Sequence, residues 1–282
     1  QYGSDALGGV IISEPVELPV EAGLRGELRS FGEWNGKGGG GNGMLEGGVK
    51  GWKGAGWRVQ GSTRFLGDSE APAYALSNTG VREAGASVGI GSHRLRYGGS
   101  LYYSWFGREL GILRASHIGN LTDLQNAIES GVPWYTADPG HDIGPPRQTV
   151  QHHLLKAQAE WRPGDRSQVE ATYAYQADDR QEYDVRRGGR SDIPSIDLIL
   201  ATHTADLVLK HWLGAKVHGK VGASGVWQDN FNVPGTGIRP LIPNYTKGST
   251  GVFLLEHYPL GERLELEGGA RWEATGLRVS KY

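Results

Sequence analysis

Apolar and polar residues alternate with a period of two along most of this chain. Between Trp57 and Phe65, one set of positions reads Trp, Val, Gly, Thr, Phe, and the set between them reads Arg, Gln, Ser, Arg. The same alternation runs through 94–106, 167–179 and 264–274. Successive side chains of a β-strand point to opposite faces of its sheet, so each segment predicts a strand with one apolar and one polar face.

About eleven strands are predicted in this way. They lie near 23–34, 43–52, 57–66, 82–91, 94–106, 149–161, 167–179, 198–212, 217–228, 249–258 and 264–274. Short connections alternate with long ones, and the long ones are 35–42, 67–81, 107–148, 180–197 and 229–248. This layout is typical of outer-membrane barrels, and several strands approach the roughly 9–11 residues that cross a bilayer. The predicted fold is therefore all-β, an incomplete antiparallel transmembrane β-barrel, although alternation alone also fits a soluble sandwich.

Composition supports a β-rich protein at a membrane interface. Glycine accounts for 46 of 282 residues, and nine Trp and 12 Tyr outnumber five Phe. Trp and Tyr are enriched where one end of the ring is wet and the other apolar, although sugar-binding proteins favour them too. Six Trp near the predicted strand ends fit interfacial girdles: Trp57, Trp105, Trp161, Trp212, Trp227 and Trp272. The formal net charge of −2 argues against a nucleic-acid partner.

The sequence lacks the motifs of an enzyme. It contains no H-E-x-x-H pattern, and its G-x-S-x-G match at 85–89 lies inside a predicted strand and not at the strand-to-helix turn of a nucleophile elbow. The absence of cysteine excludes disulfides and thiol catalysis. His152 and His153 are neighbours on a predicted strand, so they point to opposite faces and are poorly placed to share a metal. We therefore expect no catalytic activity, no cofactor and no resident metal.

Two loops carry candidate ligand-binding residues. His141 and Asp142 stand among Pro and Gly in the longest loop, where a metal-chelate contact competes with a simple solvated pair. Arg186, Arg187 and Arg190 belong to a mixed-charge loop that either pairs with itself or forms an anion-attracting rim. The long loop also contains Leu121, Leu124 and Ile128 at helical spacing, which predicts a short packing helix over 121–130, with Thr122 as a possible cap.

The beginning of the chain resembles a known family. The pattern G-S-x-A-x-G-G-V-I from residue 3 to residue 11 is similar to the last plug strand of TonB-dependent outer-membrane receptors. The residues that carry this resemblance are Gly3, Ala6, Gly8, Gly9, Val10 and Ile11. A Glu-Pro linker follows, as in one branch of that family. Segments 186–194, 235–245 and 266–272 also resemble loops and strands of its barrels.

This resemblance implies a domain organisation and a function. Residues 1–13 would end the plug domain, 14–22 would be a linker, and 23–282 would form the N-terminal half of the barrel, so that the chain is a fragment. The implied function is energised uptake of a scarce ligand, a ferric siderophore or other metal chelate, across the outer membrane of a Gram-negative bacterium. The implied partners are that ligand, outer-membrane lipid, and the inner-membrane TonB complex through the rest of the plug. A passive porin-like barrel, a surface adhesin and a soluble carbohydrate-binding protein remain as alternatives.

Overall fold

The computed structural model describes residues 16–116, 120–214, 217–261 and 263–280. The predicted plug-end residues Gly3, Ala6, Gly8, Gly9, Val10 and Ile11 lie outside these ranges, as does the beginning of the predicted linker. Among the helices within these ranges, none is long and apolar enough to cross a membrane.

A single antiparallel sheet contains most of the described chain, and each of its strands pairs with the next sheet strand in sequence. Its eleven strands are β1 (Gly23–Glu33), β2 (Gly38–Gly48), β3 (Ala55–Leu66), β6 (Val81–His93), β7 (Tyr97–Gly111), β8 (Arg147–Gly164), β9 (Ser167–Tyr183), β10 (Ile196–Leu213), β11 (Val217–Asn232), β12 (Asn244–Pro259) and β13 (Glu265–Ser280). Strands β4 (Ser69–Ala71) and β5 (Tyr74–Leu76) form a separate small hairpin. The prediction of about eleven antiparallel strands is confirmed.

The strands extend further than alternation predicted. Strands β8 and β10 contain 18 residues each, so at about 3.3 Å per residue they are roughly twice as long as a 30 Å hydrocarbon core is thick. Some residues that were predicted to lie in loops therefore belong to the paired strands, at the end of the sheet where the long loops are. The observed long connections are 67–80, 112–146, 184–195 and 233–243.

The prediction of a long loop over 35–42 is wrong. Strand β2 already begins at Gly38, and 34–37 form a tight turn in which the N–H of Lys37 donates to the carbonyl oxygen of Trp34. A run of glycines in a sequence suggests a loop. Glycine can nevertheless form a strand, because the hydrogen bonds of a sheet join backbone groups and not side chains. Here the small residue is needed, because a Cβ on Gly40 would collide with the backbone carbonyl oxygen of Thr63.

Register divides the side chains of the sheet into two contrasting faces. Directly paired residues share a face. One row on the apolar face consists of Leu45, Val59, Val88, Tyr103, Leu155, Tyr175, His203 and Trp227. The neighbouring row on the polar face consists of Gln60, Ser87, Ser104, Leu154, Gln176, Thr202, Gln228 and Lys247. These two neighbouring rows therefore differ in polarity on most of the strands that they share, from β3 to β11.

The longest loop contains the predicted helix, α1 (Leu121–Ser130). Its N-cap is Asn120 rather than Thr122, because the Asn120 Oδ1 accepts the backbone N–H of Asp123 at 2.8 Å. The expected packing role is wrong: α1 has no buried residue, and Leu121 and Ile128 are exposed.

Candidate functional site: the polar face and the long-loop end

Charged side chains on the polar face form a ladder near the long loops. We call Glu33, Arg64, Glu83 and Arg108 the rim ladder. Arg64 Nη2 lies 3.5 Å from Glu33 Oε2 and its Nη1 lies 4.0 Å from Glu83 Oε2, while Arg108 Nε lies 3.1 Å from Glu83 Oε1. The rim ladder contains two cations and two anions, so its formal charges cancel. It can therefore offer ion-pairing groups to a charged ligand although it has no net charge of its own.

A second polar network crosses β11, β12 and β13. Arg271 Nη2 donates to Ser224 Oγ at 3.1 Å, and Arg271 Nε donates to Glu273 Oε2 at 3.1 Å. Ser249 Oγ in turn donates to Glu273 Oε1 at 3.0 Å. Hydrogen-bonded charges of this kind are compatible with a wet surface and with a polar ligand, whereas lipid would leave them unsolvated.

The linker is attached to the polar face by what we call the clasp, consisting of Arg25, Glu46 and Arg58. The Glu46 side chain is 0% exposed and forms ion pairs with Arg25 and, at 2.6 Å, with Arg58. Arg58 also donates to the backbone carbonyl oxygens of Val16, at 2.8 Å, and Glu17, at 3.0 Å. The clasp therefore holds the linker through its backbone, at the short-turn end of β1, β2 and β3.

His141 packs the longest loop onto the ends of β3 and β6. Its ring stacks parallel on Phe65 with centroids 5.1 Å apart, and its Nε2 lies 3.0 Å from the carbonyl oxygen of Lys37. A carbonyl oxygen can only accept, so Nε2 donates and Nδ1 is left as the atom that could contact a ligand. Arg82 Nη2 donates to the carbonyl oxygen of His141 at 3.0 Å. The neighbouring Asp142 is exposed.

The three candidate arginines have different surroundings. Arg186 joins two loops, because its Nη1 donates to the carbonyl oxygen of Thr236 at 2.9 Å. Arg187 and Arg190 are exposed, and within the described ranges no carboxylate lies within 4.0 Å of either guanidinium. The last two are therefore the better placed for an anionic ligand. His141 packs toward β3 and Arg186 toward the loop after β11, so the structure does not bring the predicted residues together as one cluster.

Sequence reasoning missed the groups that anchor the long loop. Asp68 is buried; its Oδ1 accepts the N–H of Thr79 at 2.7 Å and its Oδ2 accepts the N–H of Gly140 at 3.2 Å. Asn78 Oδ1 accepts the N–H of Gly144 at 2.9 Å. Asp and Asn are ordinary loop residues, so no sequence signal separates these anchors from solvated loop residues.

Solved structures of bacterial import receptors share this fold. The ferric-catecholate import receptor Fiu from E. coli K12 matches 93% of this chain with a TM-score of 0.66 and 11% identity, over 46% of its own length. The siderophore receptor PiuA from Acinetobacter baumannii matches 90% of this chain with a TM-score of 0.59 and 12% identity, over 42% of its length. The ferric citrate transporter FecA matches 98% of this chain with a TM-score of 0.61 and 12% identity, over 41% of its length. No family profile and no curated protein sequence matches the chain.

The fold thus defines the class: within the described residues, the chain is one open antiparallel sheet that matches part of a large β-barrel. More particularly, the chain has the barrel fold of TonB-dependent siderophore receptors, as the sequence resemblance predicted, and spans less than half the length of those receptors. The structures that share this fold are named for import or transport and not for catalysis.

Proposed function

We propose that this chain is part of a TonB-dependent outer-membrane receptor that takes up a ferric siderophore or a similar metal chelate. The observation that carries the proposal is the match of 93% of the chain to a ferric-catecholate import receptor. The two faces of the sheet support it, because a polar face suits a water-filled lumen and an apolar face suits lipid. The exposed Arg187 and Arg190, at the long-loop end, suit capture of an anionic chelate.

The proposed partners and location follow from the same assignment. The apolar face would contact the lipid of the outer membrane of a Gram-negative bacterium. The residues ahead of the linker would belong to a plug domain, through which the inner-membrane TonB complex would supply energy. Residues 1–13 would then end the plug, 14–22 would form the linker, and 23–282 would form the first half of the barrel.

Uptake of radioactive iron tests this function. The complete gene product would be expressed in an Escherichia coli strain that lacks its own ferric-chelate receptors, and supplied with ⁵⁵Fe bound to a catecholate, a hydroxamate or citrate. We expect uptake of at least one chelate, and we expect it to disappear when tonB is deleted. Uptake that persists without TonB would indicate a passive porin-like barrel, and the absence of uptake with all three chelates would contradict the proposed ligand class.

Spin labels test the assignment of the two faces. Lys220 and Val221 are neighbours on β11 and therefore point to opposite faces. Glu170 and Tyr173 on β9 are separated by an odd number of positions, so they also point to opposite faces. In liposomes, labels at Lys220 and Glu170 should respond to a water-soluble relaxation agent, and labels at Val221 and Tyr173 should respond to oxygen dissolved in lipid. The reverse pattern would contradict the assignment of the polar face to the lumen.

Arginine replacements test ligand capture by the loop 184–195. R187Q/R190Q should weaken binding of an anionic ferric chelate by about two- to tenfold, as expected for exposed charges. The loss should be largest at low salt, because the Debye length grows from about 10 Å at 0.1 M to about 30 Å at 0.01 M. Adding R186Q should weaken binding further, partly because Arg186 also holds the loop after β11.

A charge-matched control separates local capture from overall charge. R96Q/R162Q removes two exposed arginines at the short-turn end of the sheet, and this variant should bind the chelate as the unmodified protein does. Unchanged affinity of R187Q/R190Q at low ionic strength would remove these residues from the binding site, and an equal loss in both variants would indicate a general charge effect.

A further inference from the structure

Two histidines and a glutamate converge at the short-turn end of β11, β12 and β13. His218 and His257 are directly paired across β11 and β12, and their rings stack with centroids 4.9 Å apart and planes 6° apart. Glu265, the first residue of β13, places its Oε1 3.4 Å from His257 Nδ1 and 4.0 Å from His218 Nε2. One ligand atom from each of the three residues lies within 4.8 Å of the others.

A second carboxylate faces the same pair. Glu267 is directly opposite His257 in the register of β12 and β13, and its Oε2 lies 3.6 Å from His257 Nδ1. Direct pairing places His218, His257 and Glu267 in one row, on the polar face. The row and Glu265 therefore present two imidazoles and two carboxylates to one small volume.

A divalent cation suits this set of side chains, because neutral imidazole nitrogen and ionised carboxylate oxygen are both ligands of transition metals. Two carboxylates also balance its charge.

The distances are close to those of a tetrahedral metal site. Metal bonds of about 2.0–2.2 Å to His nitrogen and carboxylate oxygen place ligand atoms about 3.3–3.6 Å apart. The separations of 3.4 and 3.6 Å match this spacing and that of 4.0 Å is near it, and the two stacked rings must turn so that a nitrogen of each points at one ion. Imidazole excludes magnesium and calcium as preferred ions, since both favour oxygen ligands alone.

We propose that His218, His257 and Glu265, with Glu267 beside them, form a binding site for a divalent transition metal, with Zn²⁺ as the best match. The metal would join three consecutive strands at the end opposite the long loops. This site is separate from the capture of a chelate at the long-loop end, and the proposal does not depend on the transport function.

Calorimetry with ZnCl₂ tests the site, using the complete gene product in detergent after removal of any polyhistidine tag. The unmodified protein should bind one Zn²⁺ here. H218Q/H257Q should weaken this binding by about a hundredfold or more, and E265Q by about tenfold, because each removes metal bonds. The matched control is H152Q, which removes a polar-face histidine paired with a single carboxylate, Asp178, at 3.3 Å, and it should leave zinc binding unchanged.

Electron paramagnetic resonance with Cu²⁺ gives a readout in the unmodified protein itself, so the proposal stays testable even if the variants do not fold. The unmodified protein should show hyperfine coupling from two imidazole nitrogens, and folded H257Q should show coupling from one. Equal zinc affinity in the unmodified protein and in folded H218Q/H257Q would overturn the proposal. So would the absence of imidazole coupling in the copper spectrum of the unmodified protein.

Discussion

Refolded alone into detergent, the 282-residue chain is expected to aggregate, without forming a compact species that migrates differently on a gel unless boiled. Within the described residues, β1 pairs only with β2 in the sheet, and β13 pairs only with β12. Among the residues that the structure describes, each of these two strands thus leaves backbone N–H and C=O groups unpaired along one edge. Every such group costs several kcal/mol in hydrocarbon, so the two edges together oppose insertion of the isolated sheet.

Semi-native gels and limited proteolysis measure this effect. The complete gene product, refolded under the same conditions, is the control, and it should give a protease-resistant band whose mobility changes on heating. Partner strands on both edges would satisfy the backbone groups that the isolated chain exposes. A monomeric, heat-modifiable and protease-resistant form of the isolated chain would contradict both the open-edge argument and the large-barrel assignment.

Replacing Glu46 with Gln should lower the free energy of unfolding by about 3–5 kcal/mol. The Glu46 carboxylate is fully buried between Arg25 and Arg58, and removing one partner from a buried charge cluster leaves uncompensated charge behind. Urea unfolding of the complete gene product in detergent, followed by tryptophan fluorescence, measures the loss. The same variant should also make the linker more accessible to protease, since Arg58 then loses the carboxylate that orients it.

The control for Glu46 is a glutamate on the adjacent strand. Glu27 is 44% exposed and pairs with Arg29 on its own strand, so E27Q should cost at most about 1 kcal/mol. A second variant, R25L/E46L/R58M, replaces the whole cluster with apolar side chains and should regain much of the lost stability. Equal losses in E27Q and E46Q would show that burial of the clasp contributes nothing.

Alternation predicted the sheet because its cause is local. A strand that separates water from an apolar medium must alternate, and Trp57 to Phe65 shows this without reference to other strands. Strand ends are different, because both faces would be wet beyond the apolar medium and the requirement for alternation would end there. Gln181 and Tyr183, for example, continue β9 into a segment that was predicted to be a loop.

The candidate site was less predictable, since it depends on register. Glu46 and Arg58 are 12 residues apart and become partners only through the pairing of β2 with β3. His218 and His257 likewise become neighbours only through the pairing of β11 with β12, since the loop that joins these strands lies more than ten residues from either histidine. From the sequence, Arg186, Arg187 and Arg190 were equally good candidates for binding an anion. Only the fold shows that the guanidinium of Arg186 already donates to the carbonyl oxygen of Thr236.

The hydrogen bonds from the Arg58 side chain to the backbone of Val16 and Glu17 have a mechanical consequence. A pulling force applied to the chain ahead of Val16 would reach the sheet through one guanidinium before it reached the first strand. Glu46 would then distribute the load over β1, β2 and β3, because it contacts Arg25 on one side and Arg58 on the other. The sheet would bear tension at three strands at once, and peeling of β1 from its edge would begin only after the clasp had yielded.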